Sequence, residues 1–484
     1  MFVKRFYEPA IAQASYLIGC VATGDAIVID PNRDVDQYIE TATREGLRIS
    51  HVTETHIHAD FVSGARELTQ KTGATLHLSD EGDADWKYQF AARDKAHLLK
   101  DGDRITVGNI LIDAIHTPGH TPEHLSFLVT DTAGADQPIA AVTGDFVFVG
   151  DVGRPDLLER AARMAGTMEA GAKTLWSSLQ KFATREDWLQ IWPGHGAGSA
   201  CGKGISAIPS STLGYERRFN WAFAVKTEAA FVESVLAGQP EPPTYFASMK
   251  RINKEGPAIL GGFHAPPRLP DAELPALLAT GALVVDTRTA DEYAAGHLAG
   301  TINIPLNASF VSWMGWFATE ASAVYLIVDP ASATRLQEVS RGLAMIGIDS
   351  VTGHFLTTAI DAAVAKGATR VTVEQITPKD LEARLKAGDV AVVDVRNASE
   401  WVGGHLPGAV HIPLGHLTAR VKELPAGKPL VVQCQSGGRS AIAASVLERL
   451  GVTPVINLAG GYAAWTASGL PIDGGSHEPQ AAHA

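Results

Sequence analysis

Histidine and aspartate side chains follow apolar stretches in the first half of the chain, at a spacing typical of metal sites. The first group, His56, His58 and Asp60, alternates directly after the strand-like segment 49–55. Loops that leave neighbouring strands converge at one edge of a sheet, so side chains from several loops can surround one cation. We therefore predict a metal site, to which three more residues belong, each after its own apolar stretch: His120, Asp145 and His195.

A cysteine near the end of the chain has the surroundings of a nucleophile. Cys434 ends a buried-strand pattern, and a helix-forming segment begins at Ser440. Backbone N–H groups at a helix N-terminus favour the thiolate, and glycines before that helix let those groups curl around the sulfur. We predict that Cys434 is a catalytic nucleophile and that Arg439 supplies a fixed positive charge. The intervening residues are predicted to form a substrate-binding cradle: Gln435, Ser436, Gly437 and Gly438.

Composition limits the function classes. The 484 residues carry a net charge of -13, which argues against nucleic acid and anionic membranes as partners, because both require a basic surface. No apolar run approaches the roughly 18 residues of a membrane helix, and residues 1–20 lack a signal-peptide pattern. The cysteines, Cys20, Cys201 and Cys434, are odd in number and far apart, as free thiols in a reducing compartment would be. We predict a cytoplasmic protein.

A sequence repeat organises the second half of the chain. The pattern at Asp286 and Arg288 recurs 108 residues later at Asp394 and Arg396, and both copies continue through Gly-His-Leu and Ile-Pro-Leu. Short apolar strands alternate with helical segments in each copy. This alternation predicts two small parallel sheets covered by helices.

Breaks in the patterning give the predicted domain boundaries. Gly-Gly and Pro-Pro pairs punctuate the chain between 261 and 270, and a polar segment precedes a new strand near 366–370. The chain is also too long for a single hydrophobic core. We predict α/β domains over 1–262, 263–368 and 369–475, followed by a disordered tail over 476–484.

The ordered motifs of the first domain resemble the metallo-β-lactamase fold, which implies an αββα sandwich. Two-metal hydrolases of that superfamily continue the first motif as His-x-His-x-Asp-His, but here Phe61 stands at the last position. Loss of that imidazole removes a ligand of the second metal. The outcome resembles the persulfide dioxygenase branch, whose mononuclear iron is held by two His and one carboxylate. Carried over, the pattern implies one Fe(II) per chain at His56, His120 and Asp145, with three open coordination positions.

The other motif residues are expected to support these ligands. His58, Asp60 and His195 would orient them through hydrogen bonds. His116 is an alternative to His120 as a ligand, although the resemblance favours the residue after Pro118-Gly119. The same ligand set would also accept Zn²⁺, so the ligands alone do not identify the metal.

Two further residues are candidates at the mouth of the metal site. Arg154 stands in a Gly-Arg-Pro-Asp segment that resembles a loop of the dioxygenases, and it is expected either to bind substrate or to brace the loop by pairing with Asp156. Cys201 follows His195 by six residues and precedes Lys203, which predicts an exposed catalytic thiol of lowered pKa that contacts a persulfide. A small buried residue in a tight loop is the alternative for Cys201.

The last domain resembles rhodanese-type sulfurtransferases. Its loop has four residues between Cys434 and Arg439, whereas related phosphatases have five, and the smaller cradle suits sulfur better than phosphate. In the first copy of the repeat, Asp329 stands at the corresponding strand end, with Pro330 aligned nearly as well. We therefore predict a degenerate rhodanese there. Three motifs carry the resemblance: Asp394-Val-Arg396, Gly404-His405-Leu406-Pro407-Gly408 and Gly460-Gly461-Tyr462-x-x-Trp465.

The domain order resembles the multidomain persulfide dioxygenase and sulfurtransferase proteins of bacterial sulfide detoxification. The resemblance implies that a low-molecular-weight thiol persulfide, carried by glutathione, coenzyme A or another thiol, is oxidised by O2 to sulfite and thiol. Sulfur transfer through Cys434 would then give thiosulfate, and a homo-oligomer is common for this architecture. Two alternatives stay open: a zinc thioester hydrolase of the glyoxalase II type joined to a sulfurtransferase, and a non-enzymatic persulfide carrier.

Overall fold

The computed structural model describes residues 1–160 and 166–474. Contacts between Cα atoms divide the chain into two compact units, the first comprising Met1–Phe263 with Arg341–Asp349 and the second beginning at His264 and resuming at Ser350. The predicted disordered tail over 476–484 lies outside the described residues. Every helix in the described ranges is too short or too polar to traverse a lipid bilayer.

The first unit contains two six-stranded mixed sheets. In the first sheet the three opening strands pair antiparallel and the next three run parallel. These strands, in spatial order, are β1 (Phe2–Glu8), β2 (Gln13–Cys20), β3 (Asp25–Ile29), β4 (Arg48–Thr53), β5 (Thr75–Ser79) and β6 (His97–Leu99). The second sheet contains β7 (Arg104–Val107), β8 (Ile110–His116), β9 (Leu125–Asp131), β10 (Ala140–Gly144), β11 (Gln190–Pro193) and β12 (Ser211–Thr212).

An apolar core joins the two sheets, and helices cover their outer faces. Side chains such as Ile18, Ile27 and Phe127 fill the interior between the sheets, and separate clusters lie under the helices on either side. The predicted αββα sandwich is therefore confirmed. Its helices are α1 (Asp36–Arg44), α2 (Ala65–Thr72), α3 (Leu157–Arg160), α4 (Met168–Phe182), α5 (Leu213–Phe219), α6 (Trp221–Ala224), α7 (Glu228–Leu236) and α8 (Phe246–Glu255), with a 3-10 turn at Ala84–Trp86.

The second unit contains the two sheets that the repeat predicts. In the first copy, the four-stranded sheet has the order β15-β13-β16-β17, and β14 pairs with β18. Its strands are β13 (Leu283–Asp286), β14 (His297–Leu298), β15 (Ile302–Asn303), β16 (Val324–Val328), β17 (Val351–Leu356) and β18 (Arg370–Val371). Its helices are α9 (Leu274–Ala279), α10 (Ala290–Ala295), α11 (Phe310–Phe317), α12 (Leu336–Met345), which ends within the first unit, and α13 (Thr358–Ala365), with 3-10 turns at Asp271–Glu273 and Ser332–Arg335.

The second copy forms a five-stranded parallel sheet of order β19-β23-β22-β20-β21. The sheet has helices on its faces, as the alternation of strands and helices predicts. Its strands are β19 (Glu374–Ile376), β20 (Ala391–Asp394), β21 (Val410–His411), β22 (Leu430–Gln433) and β23 (Val455–Leu458). Its helices are α14 (Pro378–Ala387), α15 (Ala398–Val402), α16 (Gly438–Arg449) and α17 (Gly461–Ala467), with 3-10 turns at Leu414–His416 and Val421–Glu423.

Candidate metal centre and thiol loop

Three of the predicted ligands converge at one edge of the sandwich. His56 follows β4, His120 lies in the loop between β8 and β9, and Asp145 follows β10. One ligand atom from each of the three lies within 4.8 Å of the others, and all three side chains are buried. The distance between His120 Nε2 and Asp145 Oδ2 is 3.5 Å. The fold therefore brings together two imidazoles and a carboxylate, which is a metal-binding donor set.

Hydrogen bonds leave the ligand atoms of this set available for a cation. The Nδ1 atom of His56 is 2.9 Å from Thr55 Oγ1, and His120 Nδ1 donates to the carbonyl of Arg154 at 2.9 Å. Among the described residues, His56 Nε2 and Asp145 Oδ2 are buried without a hydrogen-bond partner. Burial lowers the pKa of both histidines, so neutral imidazoles present their Nε2 lone pairs. The residues fit a metal ion such as iron or zinc.

A second buried group lies beside the first. The ligand atoms of Asp60, His195 and Cys201 also lie within 4.8 Å of one another. His195 Nδ1 donates to the carbonyl of Ala12 at 3.0 Å, while its Nε2 is 3.3 Å from both Asp60 Oδ2 and Asp145 Oδ1. Burial alone would lower the pKa of His195, but these carboxylates raise it well above its ordinary value. His195 thus connects the two groups through Asp145.

Cys201 lacks the exposure and the lowered pKa that its neighbours in the sequence predict. Its side chain is only 1% exposed, and burial raises the pKa of the thiol to about 12. The amine of Lys203 instead donates to the carbonyl of Ala237 at 3.0 Å and lies 4.7 Å from the ring centroid of Trp221. The prediction of an exposed, acidic thiol is wrong because the cation turns away and the thiol packs beneath the loop.

The ring of His58 packs against both Phe61 and the candidate ligand His56, with 4.3 Å between the ring centroids of His56 and His58. The His58 Nε2 atom is 3.2 Å from Asp30 Oδ1, and although burial lowers the pKa of His58, Asp30 raises it to about 9. Phe61 is 1% exposed, and its ring centroid lies 4.4 Å from that of His58. An aromatic ring therefore packs against a histidine that is already paired with a carboxylate.

The side chain of Arg154 is buried and bonded to neighbouring loops. Its guanidinium forms two hydrogen bonds with Asp156, at 2.8 and 2.7 Å, and donates to the carbonyls of Ala200 and Pro240 at 2.9 and 2.5 Å. The side chain is 0% exposed. Since its own carbonyl accepts from His120, Arg154 also orients the ring of a candidate metal ligand. Of the two alternatives for Arg154, these contacts favour the one in which it braces the loop by pairing with Asp156.

The loop around His120 contains two buried residues that the sequence motifs do not reveal. His124 Nε2 accepts from the backbone N–H of Asp145 at 3.1 Å, and its Nδ1 is 2.9 Å from Thr117 Oγ1. Glu123 accepts from the backbone N–H of Ile57 at 2.8 Å, next to His56. In the sequence, the Thr-Pro-Glu-His segment directly after His120 is the feature that indicates these two residues. The alternative ligand His116 bonds through Nε2 to the carbonyl of Pro122 at 2.8 Å and lies outside the cluster.

The thiol loop lies at the start of α16. Cys434 is 0% exposed, and its sulfur accepts from the backbone N–H of Gly437 at 3.2 Å and from Ser440 Oγ at 3.5 Å. Gly437 has φ +100°, a value that favours glycine and turns its N–H toward the sulfur. Gln435 and Ser436 are exposed, while Gly438 is the first residue of α16. The predicted cradle contacts the sulfur through its Gly437 N–H, aided by Ser440.

A carboxylate neutralises the charge that the sequence assigns to this loop. Arg439 donates to both oxygens of Glu400 at 2.7 Å, and Glu400 also accepts from the backbone N–H of Asn397 at the start of α15. Burial opposes ionisation of Glu400, but the guanidinium holds its pKa below the ordinary value. Glu400 is a functional candidate that the loop motif does not contain.

The corresponding loop in the first copy is filled by its own side chain. Asp329 follows β16 and accepts from the backbone N–H groups of Ala331 and Ser332 at 2.9 and 3.0 Å. It also accepts from the hydroxyl of Ser332 at 2.5 Å. The carboxylate therefore occupies the donors that would otherwise stabilise a bound anion or thiolate.

Both parts of the chain match families of known proteins. The profile of the metallo-beta-lactamase superfamily matches residues 9–195, and that of the rhodanese-like domain matches residues 377–468. The crystal structure of a metallo-beta-lactamase from Staphylococcus aureus subsp. aureus COL is 42% identical, with a TM-score of 0.66, and the match covers 74% of this chain and 99% of that one.

Curated relatives of the first unit differ in the activities that their names give. A probable metallo-hydrolase from Burkholderia pseudomallei (strain 1710b) is 33% identical over 32% of this chain, which spans 60% of that protein's length. The mitochondrial persulfide dioxygenase ETHE1 of Bos taurus is 26% identical over 40% of this chain and 68% of its own length. The chain belongs to the metallo-beta-lactamase superfamily and carries a rhodanese-like domain in its C-terminal part.

Proposed function

We propose that the first unit is a persulfide dioxygenase and that the rhodanese-like domain transfers sulfane sulfur through Cys434. A low-molecular-weight thiol persulfide, O2 and water would give the thiol and sulfite. Sulfite would then accept the sulfane sulfur and become thiosulfate. The observation that carries this proposal is the group of two buried imidazoles and one carboxylate at His56, His120 and Asp145, beside Phe61.

The protein's contribution at the metal centre is to hold two neutral imidazoles and one carboxylate and to restrict the number of ligands. Iron bound by two histidines and one carboxylate supplies redox chemistry with O2 and retains positions for a second reactant. Thr55 and Arg154 fix the ring orientations of His56 and His120. His195 contributes a positive charge against Asp145, which favours the carboxylate form, and in this proposal it is not a ligand. One iron per chain is therefore part of the proposal.

At the thiol loop, the transfer needs no net oxidation. The Cys434 thiolate attacks the outer sulfur of a thiol persulfide, a new S–S bond forms, and the thiol departs with the electron pair of the broken bond. Sulfite then attacks the outer sulfur of the Cys434 persulfide, and the thiolate returns as thiosulfate leaves. The N–H of Gly437 and the hydroxyl of Ser440 stabilise the sulfur anion in both states.

The test compares products from wild type and Cys434→Ser after anaerobic purification with metal quantitation. With glutathione persulfide, we expect both proteins to consume oxygen, while the variant releases sulfite in place of thiosulfate. Cys20→Ser is the matched control, because Cys20 is a second buried cysteine, on β2. A protein that contains iron but leaves dissolved oxygen unchanged would contradict the proposal.

A zinc thioester hydrolase is the second candidate for the first unit. It is favoured by the second group of Asp60, His195 and Cys201, which offers a place for another cation, and by the similarity to a probable metallo-hydrolase. Hydrolysis of a glutathione thioester by the zinc-loaded protein, without oxygen uptake on the persulfide, would select this function. Turnover of persulfide without a partner protein separates either enzyme from a persulfide carrier.

Two further expectations concern the whole protein. That it is cytoplasmic and that it forms a homo-oligomer both stay predictions.

A further inference from the structure

A cavity of about 300 Å³ lies beside the loop that carries His120. One wall consists of the end of β8 and the residues Thr117 and Pro118 that follow it, and the other consists of the last turns of α4 and the segment up to Arg185. None of the three proposed metal ligands lines the cavity. It is therefore a separate feature of the first unit.

Two basic side chains line this cavity without a direct ion pair. Among the described residues, neither Lys181 nor Arg185 forms a side-chain hydrogen bond or an ion pair. Arg185 is half-buried, and burial lowers the pKa of its guanidinium. Asp101 carries the one carboxylate among the described lining residues, and it accepts from the backbone N–H of His116 at 2.8 Å. The charge of Asp101 raises the pKa of Arg185 but does not cancel the effect of burial, so desolvation of this guanidinium is only partly offset.

One hydroxyl group adds a neutral donor to the same wall. Ser177 lines the cavity one helical turn before Lys181, whereas the hydroxyl of Thr174 already donates to the carbonyl of Ala170 at 3.0 Å. The Ser178 hydroxyl is already used, since it donates to the carbonyl of Pro118 at 2.7 Å. A planar guanidinium, an ammonium group and the Ser177 hydroxyl together match the oxygens of a small oxyanion.

We propose that this cavity binds a small oxyanion between Lys181 and Arg185. The chain as a whole has a net charge of -13, so a cavity in which two cations outnumber the one carboxylate among the described lining residues marks a local attraction for anions. The cavity is large enough for sulfite, thiosulfate or phosphate. That the physiological ligand is a sulfur oxyanion rests on the proposed function, whereas oxyanion binding itself rests on the cavity alone.

The cavity lies next to the loop that carries His120, so a bound anion could affect the metal centre through this loop. Gly119, between Pro118 and His120, packs so closely on α4 that a Cβ atom there would lie 2.5 Å from Leu175 Cβ. An anion held by α4 and the segment after it would stabilise the helix against which this loop rests. We expect occupancy to restrict the motion of the His120 loop and thereby to change the rate of the metal centre.

The experiment uses the metal-loaded protein in a Cys434→Ser background, which removes the thiol loop as a second site for sulfur anions. Sulfite, thiosulfate and phosphate are titrated separately by calorimetry against this protein and against the added variants Arg185→Gln and Lys181→Met. Lys173→Met is the matched control, because Lys173 is an exposed lysine on α4 that pairs with Glu169 outside the cavity. The three anions distinguish a sulfur ligand from phosphate.

We expect each cavity variant to weaken oxyanion binding by about tenfold or more, while the control binds as the parent does. Equal affinity in Arg185→Gln and the parent, or no binding of any of the three anions, would overturn the proposal. Oxygen uptake with glutathione persulfide is measured on the same proteins. Oxygen uptake without anion binding refutes only the cavity, whereas anion binding without oxygen uptake refutes only the dioxygenase function.

Discussion

The imidazole of His124 accepts a hydrogen bond from the backbone N–H of Asp145, with a distance of 3.1 Å between Nε2 and N. Because Nε2 is the acceptor, Nδ1 carries the proton and donates to Thr117 Oγ1. The ring also stacks on His56, with 5.0 Å between ring centroids. One neutral histidine thus positions Asp145 through its backbone and the ring of His56 by stacking, and both are proposed metal ligands.

Replacement of His124 by phenylalanine is expected to weaken metal binding without removing a ligand. The aromatic ring can still stack on His56, but the N–H of Asp145 loses its acceptor in a buried site. Loss of such supporting contacts lowers metal affinity by about 10- to 100-fold in other metal sites. Competition with a chelator measures the change, and His97→Phe, on an exposed histidine of β6, is the control. Unchanged metal affinity in His124→Phe would show that the N–H of Asp145 needs no partner.

Phe61→His is expected to raise the metal content of the purified protein from one toward two ions per chain. The new imidazole would replace a ring that packs against His58, and it would join Asp60 and His195, whose side chains already lie 3.3 Å apart. The effect is measured as metal per chain after anaerobic purification. Phe61→Leu has an apolar side chain without a ligand atom and should keep one metal. Two metal ions per chain in the wild-type protein would contradict the proposal that Phe61 limits the site to one metal.

Much of the fold could be predicted from the sequence, because its signals are local or repeated. The periodic copies at Asp286 and Asp394 predicted two parallel sheets, and both formed. The motifs around His56, His120 and Asp145 predicted one cluster, and these side chains meet in the structure. Each of these residues follows a strand, His56 in the first sheet and His120 and Asp145 in the second, and the loops after these strands meet at one edge of the sandwich.

Contacts between distant loops could not be predicted in this way. Glu400 lies 39 positions from Arg439, and nothing in the thiol-loop motif indicates that a carboxylate from α15 will neutralise the cation. The exposure expected for Cys201 fails for the same reason, since burial of the thiol depends on how distant segments cover it. Charge and burial of single side chains are properties of the packed structure, whereas strand and helix patterns are properties of the sequence.

Glu400→Gln is expected to improve the use of anionic sulfur acceptors by the thiol loop. Glutamine can still accept from the N–H of Asn397, so the start of α15 is preserved while the negative charge beside Arg439 disappears. The Glu400 carboxylate competes with sulfite for the Arg439 guanidinium. If this competing attraction is about 1 kcal/mol, its removal lowers the KM for sulfite roughly fivefold. Steady-state kinetics of thiosulfate formation measures it. Glu292→Gln, which caps the equivalent helix in the first copy, should leave KM unchanged, and an unchanged KM in Glu400→Gln would contradict the prediction.

The buried carboxyl group of Glu123 is expected to make the free energy of unfolding depend on pH. Burial raises the pKa of its carboxyl from 4.5 to about 7, so the folded protein holds a proton that the unfolded chain releases between those values. Its contribution to the free energy of unfolding therefore falls as the pH rises through that window, by up to about 3 kcal/mol. Glu123→Gln can keep the bond to the N–H of Ile57 and has no proton to lose.

The variant should accordingly gain stability relative to wild type between pH 5 and pH 8. Urea unfolding of the metal-free proteins at both values measures the gain, and Glu40→Gln, on the exposed side of α1, controls for the loss of any carboxylate. Parallel behaviour of wild type and Glu123→Gln would mean that Glu123 is already ionised at pH 5 in the folded protein. A buried carboxylate beside the backbone of His56 would then contribute negative charge to the metal centre, and the cation would bind a more anionic site than the neutral acid allows.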